Sequence, residues 1–220
     1  AADYHHVEQK LLKPRYRTYS SRYWEQRTMS PSSLLFYLGI KGKVKGLLHH
    51  NLFFDRSFDD HAVAIYDDPK WPKDPLFYTC VTSKSDDTVA PDGCENVFIL
   101  IPVAPALNSD EGTREEYLRE CLQRIHKHTG EDLSDRILYK KSYAHEEFIH
   151  DYNAFKGNAY GLANTLKQTA FLKPRMRSSK VENLFFAGQL TVPGPGVPPS
   201  LISGCIASEQ LHHYFNKNEI

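Results

Sequence analysis

Short apolar runs bounded by turn-forming residues dominate the middle of the chain. Residues 32–39 form one compact run, Ser-Ser-Leu-Leu-Phe-Tyr-Leu-Gly, whose length suits a buried strand better than a helix. Four similar runs predict further strands, and they cover residues 50–55, 76–81, 96–101 and 137–143. The pattern therefore indicates a central sheet, either mixed or antiparallel.

A different spacing follows the fourth run, where apolar residues recur as they do on one face of a helix. Thr113-Arg114-Glu115-Glu116 is a capping-box pattern, so we expect this helix to begin at Thr113. Gly130 is expected to end it. The apolar positions on the expected buried face are Tyr117, Leu118, Cys121, Leu122 and Ile125.

Shorter helices are predicted over residues 3–12, with Asp3 as N-cap, and over residues 145–155. A last strand over residues 181–187 leads into a last helix over residues 197–215. The fold class is thus α/β, and more narrowly α+β: a mixed or antiparallel sheet with helices, followed by a separate strand–turn–helix unit.

Composition narrows the possible partners of the chain. It has 220 residues with 27 Lys and Arg against 27 Asp and Glu, so the net charge is zero and no nucleic-acid partner is expected. The four cysteines form no Cys-x-x-Cys pair, so we expect free thiols and no metal site. No apolar run is long enough to span a membrane. The chain begins Ala-Ala-Asp without Met, and we expect a fragment.

The strand–turn–helix unit at residues 183–200 is the most specific feature of the sequence. An apolar strand enters a loop rich in Gly and Pro, and Pro198 and Pro199 lie in the first turn of the next helix, where proline is tolerated. Such a helix start offers unpaired N–H groups and a positive dipole end, and glycines let a ligand approach the backbone. A turn that only connects two elements remains the alternative interpretation. Small residues on one face of the helix, expected to pack closely, are Ser200, Ser203, Gly204 and Ala207.

This unit resembles the C-terminal flavin-binding motif of bacterial phytoene desaturases, which are FAD-dependent carotenoid desaturases. The positions that match the motif are Gly188, Thr191, Pro193, Gly194, Gly196, Val197 and Pro198. The chain departs from the motif at Gln189 and Leu190, where the family has small residues, and at Val192, where His is common. Further segments similar to the family are residues 27–32, 49–54, 90–94 and 153–161. The combination is most similar to desaturases of Bacteroidetes-type bacteria.

The resemblance implies an amine-oxidase-like flavoprotein with FAD as its cofactor. Residues 1–12 would leave the FAD domain, 13–175 would form most of a substrate-binding domain, and 176–220 would complete a Rossmann-type FAD domain whose N-terminal half is absent. Backbone at Gly188, Gln189 and Leu190 is expected near the pyrophosphate and ribityl chain. The helix start is expected near the flavin ring, through Gly196, Val197 and Pro198.

The activity implied is desaturation of a carotenoid such as phytoene, with oxygen or a quinone as electron acceptor. The alternatives are a related carotenoid redox enzyme (a hydroxycarotenoid 3,4-desaturase, a later-step desaturase or an isomerase) and an inactive fragment. Because the substrate dissolves in lipid, the protein is expected in the cytoplasm at the membrane surface; its oligomeric state is left open. His50, like the neighbouring His49, and Asp151 are candidate acid–base groups, although structural roles compete for each.

A carotenoid also needs a long apolar tunnel. The side chains of a suitable kind, for most of which ordinary core is the preferred interpretation, are Leu34, Phe36, Leu38, Phe53, Tyr78, Phe98 and Leu100.

Overall fold

The computed structural model describes residues 2–218 of the chain, and side chains as far as residue 216. Ala1, Glu219 and Ile220, at the ends of the predicted ranges 1–12 and 176–220, lie outside the described residues. The chain forms two compact units, one built from Ser32–Glu147 and the other from the segments on either side of it. The assignment of residues 13–175 to a substrate domain and of 176–220 to an FAD domain stays a prediction.

The first unit is built on one five-stranded sheet. The strands are β1 (Ser32–Lys41), β2 (His50–Phe53), β3 (Phe77–Cys80), β4 (Cys94–Val103) and β5 (Ile137–Tyr143). Their order is β2-β3-β4-β1-β5, and every neighbouring pair is antiparallel. Each strand overlaps one of the five predicted apolar runs, so the α+β class with an antiparallel sheet is confirmed.

One face of this sheet carries the hydrophobic core of the unit. In β4 the alternate residues from Glu95 to Val103 are buried and those between them are half-buried, as an antiparallel sheet with one covered face requires. The helices of this unit are α3 (Phe58–Tyr66) and α4 (Glu111–Thr129). α4 contributes Leu118, Cys121, Leu122 and Ile125 to the same core as the buried strand residues.

The start of α4 corrects the predicted capping box. The N-cap is Asp110, whose carboxylate accepts a hydrogen bond of 2.7 Å from the backbone N–H of Thr113. Thr113 is therefore the third residue of the helix. The carboxylate three residues earlier satisfies an N–H that would otherwise lack a partner at the helix start. Gly130 ends the helix as expected, with φ of +75°.

We predict that Asp110→Ala lowers the free energy of unfolding by about 0.5–2 kcal/mol, because it removes this cap. Thr113→Ala is the matched control and should change it by less, since the backbone N–H of Thr113 remains. Urea denaturation of both variants measures the difference. A larger loss in Thr113→Ala would show that Thr113 is the cap after all.

The second unit contains α1 (Tyr4–His6), which continues as a π-helical turn (Val7–Leu11), and α2 (Ser21–Glu25). It also contains α6 (Val197–Asn218), while α5 (His145–Tyr152) begins in the first unit and ends in the second. Asp3 caps α1 as expected, accepting from the N–H of His5. The core of this unit is a cluster in which the Tyr4 and Phe186 rings stack 3.6 Å apart. Its other buried members are Trp24, Met29, Leu162 and Leu190.

The predicted strand over residues 181–187 is wrong. This segment forms only an isolated bridge between Arg177 and Phe185. The flanking hydrogen bonds run from the N–H of Ser178 to the carbonyl of Leu184 and from the N–H of Phe186 to that of Met176. A single bridge gives no ladder, and of the apolar residues here only Phe186 is buried in the core cluster, with Leu184 packed against it. The predicted helix over 145–155 ends early, at Tyr152, because Asn153 takes a φ of +53°.

Candidate functional site

The loop from Ala187 to Gly196 and the start of α6 form the site that the sequence singled out. Gly188, Gly194 and Gly196 have φ values of +107°, +139° and +107°, which side chains rarely tolerate. Apart from Gly188 and its two chain neighbours, the described part of the chain places no atom within 4 Å of a Cβ added at Gly188. The loop thus runs through backbone conformations that favour glycine, with open space beside Gly188.

The side chain of Ser203 links this loop to α6 through hydrogen bonds. Its hydroxyl is buried, accepts a hydrogen bond of 2.7 Å from the N–H of Gly188 and donates one of 2.6 Å to the carbonyl of Ser200. The Thr191 hydroxyl donates to the carbonyl of Gly188 at 2.8 Å. Both backbone groups of Gly188 therefore have protein partners. Of the small residues expected to pack on one helix face, Ser203 is buried, whereas Gly204 is exposed.

A cavity of about 380 Å³ lies beside the loop. Asp3 and Asn158 bring polar groups to it, together with Gly188, Gln189 and Leu190. Burial raises the pKa of the Asp3 carboxyl, although the N–H groups of Phe155 and His5 oppose that shift. The cavity thus combines loop backbone, an amide and a carboxyl group.

Gln189 links this cavity to the helix start. A second cavity, of about 620 Å³, is lined by Gln189 together with Gly196 and Val197. Val197 is 77% exposed and Pro198 is also exposed, while the Leu190 side chain is buried in the core cluster. Five of the six predicted cofactor residues therefore border these two adjoining cavities.

Gly161 sets how closely the loop can pack. A Cβ added there would lie 2.9 Å from the carbonyl oxygen of Gln189, and its φ is +74°. Asn158 holds this turn by accepting from the N–H of Gly161 at 2.7 Å. Any larger residue at position 161 must displace the backbone of the loop.

We predict that Gly161→Ala is destabilising beyond the cost of its positive φ. Gly93→Ala is the control, because Gly93 has a φ of +70° but open space around its Cβ. The control should lower the free energy of unfolding by about 1–2 kcal/mol for the left-handed conformation alone. Gly161→Ala should cost roughly 1–3 kcal/mol more, because overpacking is added. Equal losses in denaturant titrations would contradict the close approach.

Lys173 is a site residue that sequence patterns did not reveal. The residue is 4% exposed, and its Nζ has no hydrogen-bond partner within residues 2–218. Its Cε and Nζ lie 3.4 and 3.5 Å from the position of a Cβ added at Gly194. Burial lowers the pKa of the Lys173 ammonium. No sequence motif predicts the position of Lys173, because only the fold brings it to the glycine loop.

In the first unit, the uncovered face of the sheet carries a row of aromatic side chains. The Phe98 ring lies 5.2 Å from Tyr37 and 6.4 Å from Tyr78, centroid to centroid. A groove of about 580 Å³ runs along this face, with Phe98, Tyr37 and Tyr139 in its lining. Burial raises the pKa of Tyr78 to about 12, with a contribution from its hydrogen bond with Cys80.

The predicted tunnel residues lie on both faces of the sheet. Tyr78, Phe98 and Leu100 are half-buried on the uncovered face, so the sheet leaves them accessible. The other four predicted tunnel residues belong to the hydrophobic core, which was the preferred interpretation from the sequence: Leu34, Phe36, Leu38 and Phe53.

The two acid–base candidates lie in different units. His50 is exposed in β2, with its Nδ1 2.6 Å from the Tyr78 hydroxyl. Asp151 is exposed in α5 and pairs with Nδ1 of His150 at 2.7 Å. This contact agrees with a structural role for Asp151. A catalytic role for either residue stays a prediction.

Sheet pairing also produces a group that the cysteine spacing did not show. β2 pairs with β3 so that His50 faces Cys80, and with His49 their potential ligand atoms all lie within 4.8 Å of one another. Two imidazoles and a thiol are ligands that suit Zn²⁺. His49 is also held by the Ser85 hydroxyl, 2.5 Å from its Nδ1. The expectation of no metal site remains a prediction.

Comparison with known proteins identifies relatives of this chain. No family model matches the chain. The carotenoid 3,4-desaturase of Haloarcula japonica is 48% identical over 210 residues, which are 96% of this chain and 42% of that protein. The zeta-carotene-forming phytoene desaturase of Myxococcus xanthus is 29% identical over 96% of this chain and 41% of its own length. The 4,4'-diaponeurosporene oxygenase of Staphylococcus aureus is 29% identical over 88% of this chain and 40% of its own length.

These relatives are carotenoid desaturases and a 4,4'-diaponeurosporene oxygenase. This chain is similar to the C-terminal part of a carotenoid desaturase, which confirms the resemblance seen in the sequence. The chain spans about two fifths of the length of the curated relatives it matches. The expected likeness to Bacteroidetes proteins stays a prediction. Among the described residues, none of the helices has the length and apolar character needed to cross a membrane.

Proposed function

We propose that the protein to which this chain belongs is an FAD-dependent carotenoid desaturase, and that this chain supplies part of its cofactor site and a substrate surface. The observation that carries the proposal is the glycine loop, which Ser203 links to α6 beside a buried lysine that has no hydrogen-bond partner within residues 2–218, in a chain 48% identical to a carotenoid desaturase. Loss of two hydrogens from adjacent carbons needs an electron acceptor, and FAD accepts a hydride at N5.

Three features of the structure fit FAD. The backbone can be approached closely at Gly188, because the space beside its Cα is open. The start of α6 presents the positive end of the helix dipole to an anionic group, although Pro198 and Pro199 have no N–H and the N–H of Ser200 donates to the Gly196 carbonyl. The Lys173 ammonium lies at the same loop without a counter-ion in the described residues.

In this proposal the loop binds and orients the cofactor. Gly188, Gln189 and Leu190 contact the pyrophosphate and ribityl chain through their backbone. Gly196, Val197 and Pro198 place the helix start near the flavin ring. Gly188 leaves space for the cofactor beside its Cα. Its N–H is not available to the cofactor, because it already donates a hydrogen bond to the Ser203 hydroxyl.

The carotenoid is proposed to lie on the uncovered face of the sheet. A polyene offers only apolar contacts, and the groove beside Phe98 and Tyr37 offers an apolar, aromatic surface. His50, whose Nδ1 lies 2.6 Å from the Tyr78 hydroxyl at the end of the aromatic row, is our candidate for accepting a proton from a bound substrate. Oxygen or a quinone would reoxidise the flavin, and the membrane surface would deliver the substrate.

A 3,4-desaturase is a second candidate for the reaction. The 48% identity to the carotenoid 3,4-desaturase is well above the 29% identity to the phytoene desaturase. We therefore infer that the C3–C4 bond of an already conjugated carotenoid is a better substrate position than the saturated links of phytoene.

Product analysis tests this choice. The full-length protein is expressed separately in cells that accumulate phytoene and in cells that accumulate lycopene or its hydroxylated derivatives. We expect a product two hydrogens lighter in the second set, with its absorption shifted to longer wavelength, and unchanged phytoene in the first. Conversion of phytoene alone would support the phytoene desaturase instead, and no conversion in either would contradict the proposal.

Phe98→Asn tests the substrate surface. We expect KM for the carotenoid to rise roughly tenfold, because an apolar contact worth about 1.5 kcal/mol or more is lost. Leu48→Asn is the control, since Leu48 is 73% exposed and lies outside the groove. FAD content should stay unchanged in both variants. An unchanged KM in Phe98→Asn would place the substrate elsewhere.

A further inference from the structure

Two imidazoles and a thiol from separate segments of the first unit converge at the β2 edge of its sheet. The antiparallel register of β2 and β3 sets His50 opposite Cys80, and the N–H of Val81 donates to the carbonyl of His49 at 2.8 Å. A ring nitrogen of each histidine and the sulfur of Cys80 all lie within 4.8 Å of one another. The backbone pairing therefore holds three potential metal ligands together.

The Ser85 hydroxyl determines which nitrogen of His49 carries the proton. Its Oγ lies 2.5 Å from Nδ1 of His49 and donates to the carbonyl of Thr82 at 3.4 Å. Because a hydroxyl has one proton to give, it accepts the hydrogen bond from Nδ1–H of His49. The lone pair of Nε2 is then available to an ion, and metal-binding histidines are usually held in this way through their other nitrogen.

Tyr78 plays the same part for His50 and also contacts the thiol. Its hydroxyl lies 2.6 Å from Nδ1 of His50 and hydrogen-bonds Cys80 as well. A thiolate can only accept, so with Cys80 ionised the Tyr78 hydroxyl donates to the sulfur and accepts from His50. His50 then keeps its proton on Nδ1, and the hydroxyl stabilises the thiolate form of Cys80 that a metal ion needs.

The donor set selects the kind of ion. Imidazole and thiolate suit Zn²⁺, whereas Ca²⁺ and Mg²⁺ prefer oxygen ligands. Zn–N and Zn–S bonds of about 2.1 and 2.3 Å place tetrahedral ligands roughly 3.4–3.6 Å apart, so binding draws these atoms together by no more than about 1.4 Å. His50 is exposed, and His49 and Cys80 are half-buried, so the side chains can rotate that far and an ion can enter from solvent.

We propose that His49, His50 and Cys80 form a Zn²⁺ site, with two imidazoles and one thiolate as ligands and water in the fourth position. Three protein ligands and one open position are typical of zinc sites that remain accessible. The Cys80 thiol releases its proton to solvent when the ion binds. The site runs against the expectation of no metal from the cysteine spacing, and it does not depend on the proposed FAD site.

The zinc site borders the proposed substrate surface. Cys80 lines the aromatic groove and is paired with Phe98 in the register of β3 and β4. A metal-bound His50 has no lone pair left to accept a proton, so the ion would compete with the proton transfer proposed for this residue. That consequence rests on the proposed function, and failure of the proton transfer would leave the metal site itself unaffected.

Co²⁺ is the probe, because it takes the place of Zn²⁺ in such sites and absorbs light. The full-length protein is freed of metal with a chelator and titrated with Co²⁺, and each spectrum is read as a difference from the metal-free protein, which removes any flavin absorption. We expect a thiolate-to-Co²⁺ charge-transfer band in the near ultraviolet and the intense visible bands of a four-coordinate ion. Added Zn²⁺ should abolish these bands by displacing Co²⁺.

Variants assign the ligands. Cys80→Ser should remove the charge-transfer band, and His49→Gln should raise the Zn²⁺ Kd more than about tenfold. Ser85→Ala keeps all three ligands but removes the support of His49, so it should raise the Zn²⁺ Kd about tenfold. Cys205→Ser and His126→Gln are the matched controls, because both residues are exposed and lie outside the cluster, and they should change neither quantity.

Stability separates loss of a ligand from loss of the fold. Zn²⁺ should raise the Tm of the wild type and leave that of Cys80→Ser unchanged, and Cys80→Ala serves if Cys80→Ser does not fold. A charge-transfer band that persists in Cys80→Ser, or a Zn²⁺ Kd that His49→Gln leaves unchanged, would overturn the proposal. A wild-type Kd in the millimolar range would mean adventitious surface binding and would overturn it as well.

Discussion

The hydrogen bond from the Gly188 amide to the Ser203 hydroxyl is the interaction on which the candidate cofactor site depends. It joins the entrance of the glycine loop to the first turns of α6 at 2.7 Å, while Ser203 stays bound to its own helix through the Ser200 carbonyl. Without it, the Gly188 end of the loop would lose its direct link to α6. With it, the loop backbone and the dipole end of the helix are held next to each other. Preorganisation of this kind lets a loop bind a ligand without a large ordering cost.

The five-stranded sheet depends on a different constraint, which is the alternation of buried and accessible residues along its strands. Strict alternation in β4 buries one set of side chains under α4 and leaves the other set accessible. The accessible set is aromatic at Phe98, Tyr37 and Tyr78. A face without covering helices is costly to leave in water, and a long polyene is a ligand that would cover it. The same alternation thus provides both the stability of the unit and its proposed binding surface.

Sequence patterns predicted the structural features that depend on residues close to one another along the chain. All five strands were predicted, as were the start of α6 at Val197 and the cap at Asp3, because apolar runs and turn residues act over a few positions. The strand over residues 181–187 was wrong because a strand needs a neighbouring strand, and this segment makes only the bridge at Phe185. The cap of α4 was misplaced by one turn because Asp110 and Thr113 are both good caps, and geometry alone chooses between them. Lys173 and the His50–Cys80 pairing depend on contacts between distant segments, which spacing cannot show.

The most direct measurement of the central claim is the spectrum of the purified full-length protein mixed with its carotenoid in the absence of oxygen. A flavoprotein desaturase should show oxidised flavin absorption that bleaches on mixing, with one desaturation formed for each flavin reduced. The bleaching should be reversed when oxygen or a quinone is admitted. A protein without flavin absorption, or a flavin that stays oxidised while the carotenoid is desaturated, would contradict the account.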